Sequence, residues 1–224
     1  MSSSTTSHGK QFTLYVSAGP NPWKVVIILE ELCLAYKTVV VDVNNGENKA
    51  PEFTKLNPNG RLPALVDHSN NDFTIWESGA IMLYLVGKYD TEHKISFPDF
   101  DSTATANQYL MFQMSGQGPY MGQLGWFLRY HHEKIPSAIE RYRAETMRIM
   151  GVLEKVLEGK HYMVNDKPSY ADLAFVPYQW AADWIKPELD GWRDEFPTVA
   201  AWSDRLEARD SVKKCKAVRA ECGF

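Results

Sequence analysis

Every stretch of this 224-residue chain with strand character ends by Trp76, and every periodic stretch beyond it is helical. Phe12–Val16 (FTLYV) and Tyr36–Val43 (YKTVVVDV) are β-branched, aromatic-rich runs of strand length. Between them Val25, Ile28, Leu29 and Leu32 recur at the i, i+3, i+4, i+7 spacing of an amphipathic helix. Ala50–Gly60 reads as a short helix stopped by Asn-Pro-Asn-Gly. Arg61–Ser69 and Asp72–Trp76 read as two strands joined by a Ser-Asn-Asn turn, and Ser78–Tyr89 as a helix. The order β-α-β-α-β-β-α predicts an α/β layer. A polar, proline-containing stretch, Thr91–Thr103, then reads as a linker, and the residues after it have the period of helices only. The predicted organisation is a disordered leader over 1–11, an α/β domain over 12–90, the linker over 91–103 and an all-helical domain over 104–224. Within the last, Ser169 followed by Asp172 has the spacing of a capping box that opens a buried helix.

Bulk properties narrow the function. A net charge of −4 and a pI near 5.9 give no reason to expect nucleic acid or an anionic membrane as partner. No apolar run approaches the roughly 18 residues of a membrane-spanning helix. Three cysteines make no disulfide framework, and the expectation is a reducing, cytoplasmic setting.

The chemistry-bearing residues sit at element junctions. Ser17–Leu34 passes from a strand through a proline-marked turn into a helix, as thioredoxin-type folds do. Such folds carry cysteine at the helix start, whereas these four positions read Asn21-Pro22-Trp23-Lys24. One reading is structural, with Asn21 as N-cap and Pro22 as first helical residue. The other uses the unpaired N–H groups and partial positive charge of a helix start, with the Asn21 amide, to hold a thiolate brought by a ligand. Leu62-Pro63 is either an ordinary proline at a strand start or a cis bond that offers the Leu62 main chain to an extended peptide. Glu77 and Ser78 are either a solvated residue and a cap, or an ammonium and a carboxylate ligand suited to an amino-acid head group. Asn48 and Lys49 on a polar loop, with Arg61, are solvated surface or receive a second carboxylate.

Ser115–His132 carries four glycines together with Tyr120, Trp126, Phe127 and Tyr130. These rings are either core or, with Trp23, a pocket for a small, flat, apolar second ligand. His131 and His132 have no partner at metal-ligand spacing, so no metal is expected. Cys33 reads as inert core, and Cys215 and Cys222 fall in a basic C-terminal stretch.

Together these residues resemble the glutathione transferases. The likeness runs from about Phe12 to the last helices and rests on Pro20-Asn21-Pro22-Trp23-Lys24-Val25, NPNGRLPALVDH, IWESGAI and ADLAFVP. It is closest to the asparagine-type branch that resembles a fungal nitrogen-catabolite regulator and the bacterial Nu-class enzymes. The resemblance implies a thioredoxin-like N-terminal domain plus an all-α C-terminal domain, a homodimer, and glutathione as substrate with no further cofactor. It implies that Glu77 and Ser78 hold the γ-glutamyl head group and that the Leu62 main chain, before Pro63, pairs with the cysteinyl unit. Asn21 would face the sulfur as the catalytic residue, ahead of Ser17. The glycyl carboxylate would fall near Asn48, where relatives often have histidine, with Lys49 or Arg61 assisting. Two reactions compete: conjugation of a carbon electrophile, and reduction of disulfides or peroxides or deglutathionylation. The resemblance favours the second, and asparagine cannot act as a base. A non-catalytic ligand-binding or regulatory protein is the alternative.

Overall fold

The structure is a computed structural model that describes residues 9–185 and 188–224. Most of the expected leader, residues 1–8, therefore lies outside the described residues. β1 (Phe12–Val16) is the central strand of the first unit, and its Phe12, Leu14 and Val16 are fully buried. β2 (Tyr36–Val40) pairs parallel to β1; β3 (Ala64–Asp67) pairs antiparallel to β1, and β4 (Phe73–Trp76) antiparallel to β3. The sheet order is β2-β1-β3-β4. β2 stops short of the expected Val43 because Asp42 folds back, its carboxylate accepting from the Asn44 and Asn45 N–H groups.

α1 (Asn21–Glu31) carries an unbroken buried run from Pro22 to Leu29, wider than the one apolar stripe of its 3.6-residue period. Two helices of the same unit account for this. α3 (Ser78–Tyr89) packs on it, and so does the C-terminal helix α11 (Asp210–Glu221). Val212 and Cys215 are fully buried, Ser211 donates to Glu31 at 2.6 Å, and the Phe224 ring meets Trp23 edge-on at 6.0 Å. The expected 104–224 domain is corrected accordingly: residues 210–224 belong with those up to Lys94, and the second unit is Ile95–Arg209. The linker is corrected as well. Ile95 and Phe97 are buried, and the Ile95 carbonyl accepts from the Tyr170 N–H at 2.9 Å, so half of 91–103 is structural. A short helix, α2 (Pro51–Thr54), completes the first unit.

The second unit holds α4 (Phe100–Phe112), one π turn (Gln113–Gln117), α5 (Gly118–Arg129), α6 (Pro136–Val156), α7 (Tyr170–Leu173), α8 (Val176–Trp184), α9 (Trp192–Glu195) and α10 (Pro197–Glu207). Ser169 and Asp172 form the reciprocal capping box at α7. Asp172 is fully buried and accepts from the Ser169 N–H and hydroxyl, the Met163 N–H and the Trp202 indole, all within 3.0 Å. Burial raises its pKa against the pull of those four donors. The architecture is a thioredoxin-like mixed sheet flanked by helices, followed by a helical domain. Among the described residues no helix is long and apolar enough to cross a membrane.

Candidate functional site

Sheet register brings the junctions together. Tyr15 near the end of β1 pairs with Ala64 at the start of β3, and Ala64 pairs with Trp76 at the end of β4. The turn into α1, the Leu62-Pro63 step and the turn into α3 therefore share one end of the sheet.

α1 begins at Asn21, preceded by Pro20 at the capping position with no side-chain cap. The N-cap reading of Asn21 is thus corrected: the residue is already helical, because Pro20 takes the α-region conformation. No acidic residue occupies the first turn, so nothing there opposes the positive end of the helix. The segment that forms this helix start, Ser17–Lys24, contains no cysteine. Cys33, expected in the core, is instead exposed just past the other end of α1 at φ +53°, where the chain leaves the helix. Cys215 is buried with its thiol 3.5 Å from the Trp23 carbonyl, and Cys222 donates to the Thr38 hydroxyl at 3.5 Å. Ser17 lies directly after β1 and is half-buried.

The Leu62-Pro63 peptide is cis. Leu62 packs against the cluster of Val41, Phe53 and Ala64, and Pro63 is buried. A network of amides holds the preceding loop. The buried Asn57 donates to the Arg61 carbonyl at 2.6 Å and accepts from the Asn59 N–H at 3.0 Å. Asn48, 8% exposed, donates to the Gly60 carbonyl at 2.8 Å, and the Lys49 ammonium reaches the Asn59 carbonyl at 2.9 Å. Gly60 has φ +61°, and a Cβ there would stand 2.7 Å from the Asn48 carbonyl oxygen. Asn48, expected near a ligand carboxylate, uses one amide hydrogen to latch the loop at the Gly60 carbonyl. Lys49 and Arg61, the two cations expected to receive a carboxylate, are both exposed. Asn57 escaped the sequence reading because an asparagine before Pro-Asn-Gly looks like an ordinary turn residue.

Glu77, exposed, occupies the capping position of α3 at φ +71°, and Ser78 is the first helical residue, 2% exposed. Ser78 as N-cap is corrected in the same way as Asn21. Lys24, one turn into α1, is 1% exposed. Burial draws its pKa down to about 7, partly offset by the negative charge of Glu77. Its signal in the sequence was a lone cation inside an apolar helix run.

The rings expected to line a second-ligand pocket fall in both units. Trp23 is fully buried, stacked edge-on with Phe224 and lying under the Arg219 guanidinium at 5.9 Å, so it belongs to the α1–α11 packing. In the second unit Tyr120 and Phe127 face Tyr142, at 6.4 and 5.6 Å. Trp126 and Tyr130 instead pair with each other at 5.8 Å and are 50% and 64% exposed. The split comes from helix geometry, since positions seven or four apart share a face and positions six apart do not. Among the described residues no cluster of His, Cys, Asp or Glu is arranged to hold a metal.

Known proteins match the whole arrangement. The profile described as "Glutathione S-transferase, N-terminal domain" matches residues 10–87, and "Glutathione S-transferase, C-terminal domain" matches 118–210. Glutathione S-transferase 2 of Schizosaccharomyces pombe is 49% identical over 216 residues, covering 90% of this chain and 93% of that protein. The crystal structure of the glutathione transferase URE2P6 from Phanerochaete chrysosporium, in complex with oxidized glutathione, superposes with a TM-score of 0.92 at 50% identity. It covers 97% of this chain and 100% of that one. Protein URE2 of Saccharomyces bayanus is 37% identical over 239 residues, covering 91% of this chain and 68% of that protein. The chain belongs to the glutathione S-transferase family, whose substrate is glutathione.

Proposed function

We propose that this protein is a glutathione-dependent thiol transferase that reduces disulfides and glutathione mixed disulfides, with weaker conjugation of electrophiles. The observation that carries the reading is the start of α1: an asparagine, not a cysteine, opens an uncapped helix at the end of β1. The reactive sulfur is then the ligand's own. The Leu62 main chain before the cis bond pairs with the cysteinyl unit, Glu77 takes the γ-glutamyl ammonium, and Ser78 with the N–H groups of α3 takes its carboxylate. Lys49 and Arg61 receive the glycyl carboxylate. Two relatives from Phanerochaete chrysosporium were crystallised with oxidized glutathione, which is the product such a reaction releases. A third was cocrystallised with 1-(S-glutathionyl)-2,4-dinitrobenzene, in keeping with a lesser conjugating activity.

Asparagine cannot take the thiol proton, so activation is electrostatic. A free thiol titrates near pH ~8.5, and each unit of downward shift takes ~1.4 kcal/mol. A helix start supplies ~0.3–1 kcal/mol and up to ~2 in a partly buried setting. An amide bond to the anion adds ~1.5 kcal/mol or more. The result is a thiol near neutrality, which suits attack on sulfur because nucleophilicity falls with pKa. In the reaction, the glutathione thiolate attacks the glutathionyl sulfur of a mixed disulfide. The new S–S bond gives oxidised glutathione, the old one breaks, and the leaving thiolate takes a proton from water.

The test is a paired steady-state assay on one preparation, with a chloronitroaromatic acceptor in one arm and a glutathione mixed disulfide, coupled to glutathione reductase, in the other. Strong disulfide turnover with weak conjugation is expected. Dominant conjugation overturns the assignment, and silence in both arms with glutathione still bound makes the protein a non-catalytic binder. The same reading includes a cytoplasmic homodimer, and sedimentation as a monomer at micromolar concentration would refute the dimer.

A further inference from the structure

A groove of about 480 Å³ opens in the first unit at the end of the sheet away from Asn21. Lys10, Glu30 of α1, Lys37 and Thr38 of β2, and Val218 and Glu221 of α11 line it. Its volume is in the range of small-molecule sites, roughly 300–1,000 Å³. Strand register sets it apart from the glutathione contacts. Tyr36, which opens β2, pairs with Phe12, which opens β1, whereas Asn21 follows the far end of β1. The five residues of β1 put ~16 Å between those two ends.

A thiol stands at this groove. Cys222 directly follows Glu221, is half-buried, and has its sulfur 3.5 Å from the hydroxyl of Thr38. The groove carries charges of both signs. Glu30 is engaged within the protein, accepting from the Tyr36 hydroxyl at 2.6 Å with the Lys214 ammonium at 3.8 Å. Lys10, Lys37 and Glu221 are exposed, two cations and one carboxylate. Glutathione has the complement of that set: two carboxylates, one ammonium and a sulfur.

We propose that Cys222 is a site of S-glutathionylation by glutathione disulfide, with the attached tripeptide lying in this groove, its carboxylates on Lys10 and Lys37 and its ammonium on Glu221. In the step, the Cys222 thiol gives its proton to water and the thiolate attacks one sulfur of glutathione disulfide. The bond from Cys222 to that sulfur forms, the glutathione S–S bond breaks, and the leaving glutathione thiolate takes up a proton. Cys222 is oxidised and one glutathione is reduced. Glutathione itself reverses the step, so occupancy follows the ratio of glutathione disulfide to glutathione. The proposal holds whichever reaction the Asn21 site runs. Exposure alone favours Cys33, which is exposed, while Cys215 is buried. The groove reverses the order of Cys33 and Cys222 for glutathione only.

The experiment equilibrates the protein with glutathione and glutathione disulfide, or with 2-mercaptoethanol and its uncharged disulfide at the same ratio, and reads adduct occupancy at each cysteine by peptide mass spectrometry after an acid quench. With glutathione, Cys222 is expected to carry about fivefold more adduct than Cys33, the preference that two exposed ion pairs supply. With the uncharged pair, Cys33 is expected to carry at least as much as Cys222. Lys10→Gln/Lys37→Gln should erase the glutathione preference at unchanged Tm, since both lysines are exposed. About 1 M salt should do the same to the wild type, which tests those charges without any variant. The proposal is overturned if Cys222 stays unmodified, if Cys33 is occupied by glutathione at least as fully as Cys222, or if the preference survives with the uncharged pair or in the lysine variant.

Discussion

Replacing Asn21 with alanine separates two roles that most helix-start residues combine. A capping asparagine lost to alanine costs ~1 kcal/mol of stability. Here the capping position is Pro20 and Asn21 is already helical, so that cost is absent. Alanine is also the better helix former by up to ~0.7 kcal/mol. Asn21→Ala should therefore unfold in urea within ~0.5 kcal/mol of wild type. Its catalytic cost is set by the bond to the thiolate. A charge-assisted hydrogen bond of ~1.5–3 kcal/mol, divided by ~1.4 kcal/mol per decade, gives a loss of ~10-fold to ~100-fold in kcat. The KM for glutathione should change by less than about threefold, since the head group and the glycyl end are held elsewhere. Asn21→Asp sharpens the contrast. A carboxylate in the first turn favours the helix by ~0.3–1 kcal/mol but repels the thiolate, so stability and activity should move in opposite directions. The assays are urea denaturation, and kcat for the mixed disulfide across about pH 6–9, where the thiol pKa should rise in both variants. A destabilised Asn21→Ala with wild-type kcat would refute the reasoning and leave Asn21 as a structural residue.

Three further outcomes are set by the geometry. Gly60→Ala forces a side chain into φ +61° and against the Asn48 carbonyl at 2.7 Å, so urea denaturation should show a loss of ~2–4 kcal/mol, with a raised KM for glutathione because the Arg61–Leu62 step moves. Asp172→Ala leaves the Ser169, Met163 and Trp202 donors buried without an acceptor, and chemical denaturation should show ~3–5 kcal/mol lost. Lys24 gives stability a pH dependence of known sign. Its pKa is about 7 in the folded chain and higher when unfolded, so between about pH 7 and pH 9 the unfolded chain binds more protons and stability rises with pH. The gain is ~1 kcal/mol or more and should vanish in Lys24→Met; equal urea midpoints for wild type at the two pH values would contradict it.

What could be read from the sequence was what neighbours in the chain decide. The α/β order came from period-2 and period-3.6 spacing, and the helix Ser78–Tyr89 was legible to the residue. The Ser169–Asp172 box was equally local, as was the helix start at Asn21-Pro22 and the choice of Leu62-Pro63 and Glu77-Ser78 as junctions of interest. Tertiary structure decided what each surface faces, because burial depends on segments far away in sequence. Trp23 looked like a pocket wall until α11, nearly two hundred residues later, covered it; Cys33 looked like core until α1 ended at Glu31. The polarity of Asn48 suggested solvent or ligand and Asn57 passed as a turn residue, yet the amides of both are engaged by carbonyls of their own loop, where a buried peptide group left unpaired costs more than a side chain withdrawn from water. Lys24 is the reverse case: a residue that composition assigns to the surface is buried within the packed start of α1. Local spacing sets which elements form and where they begin, and only their packing determines which polar side chains remain available for glutathione.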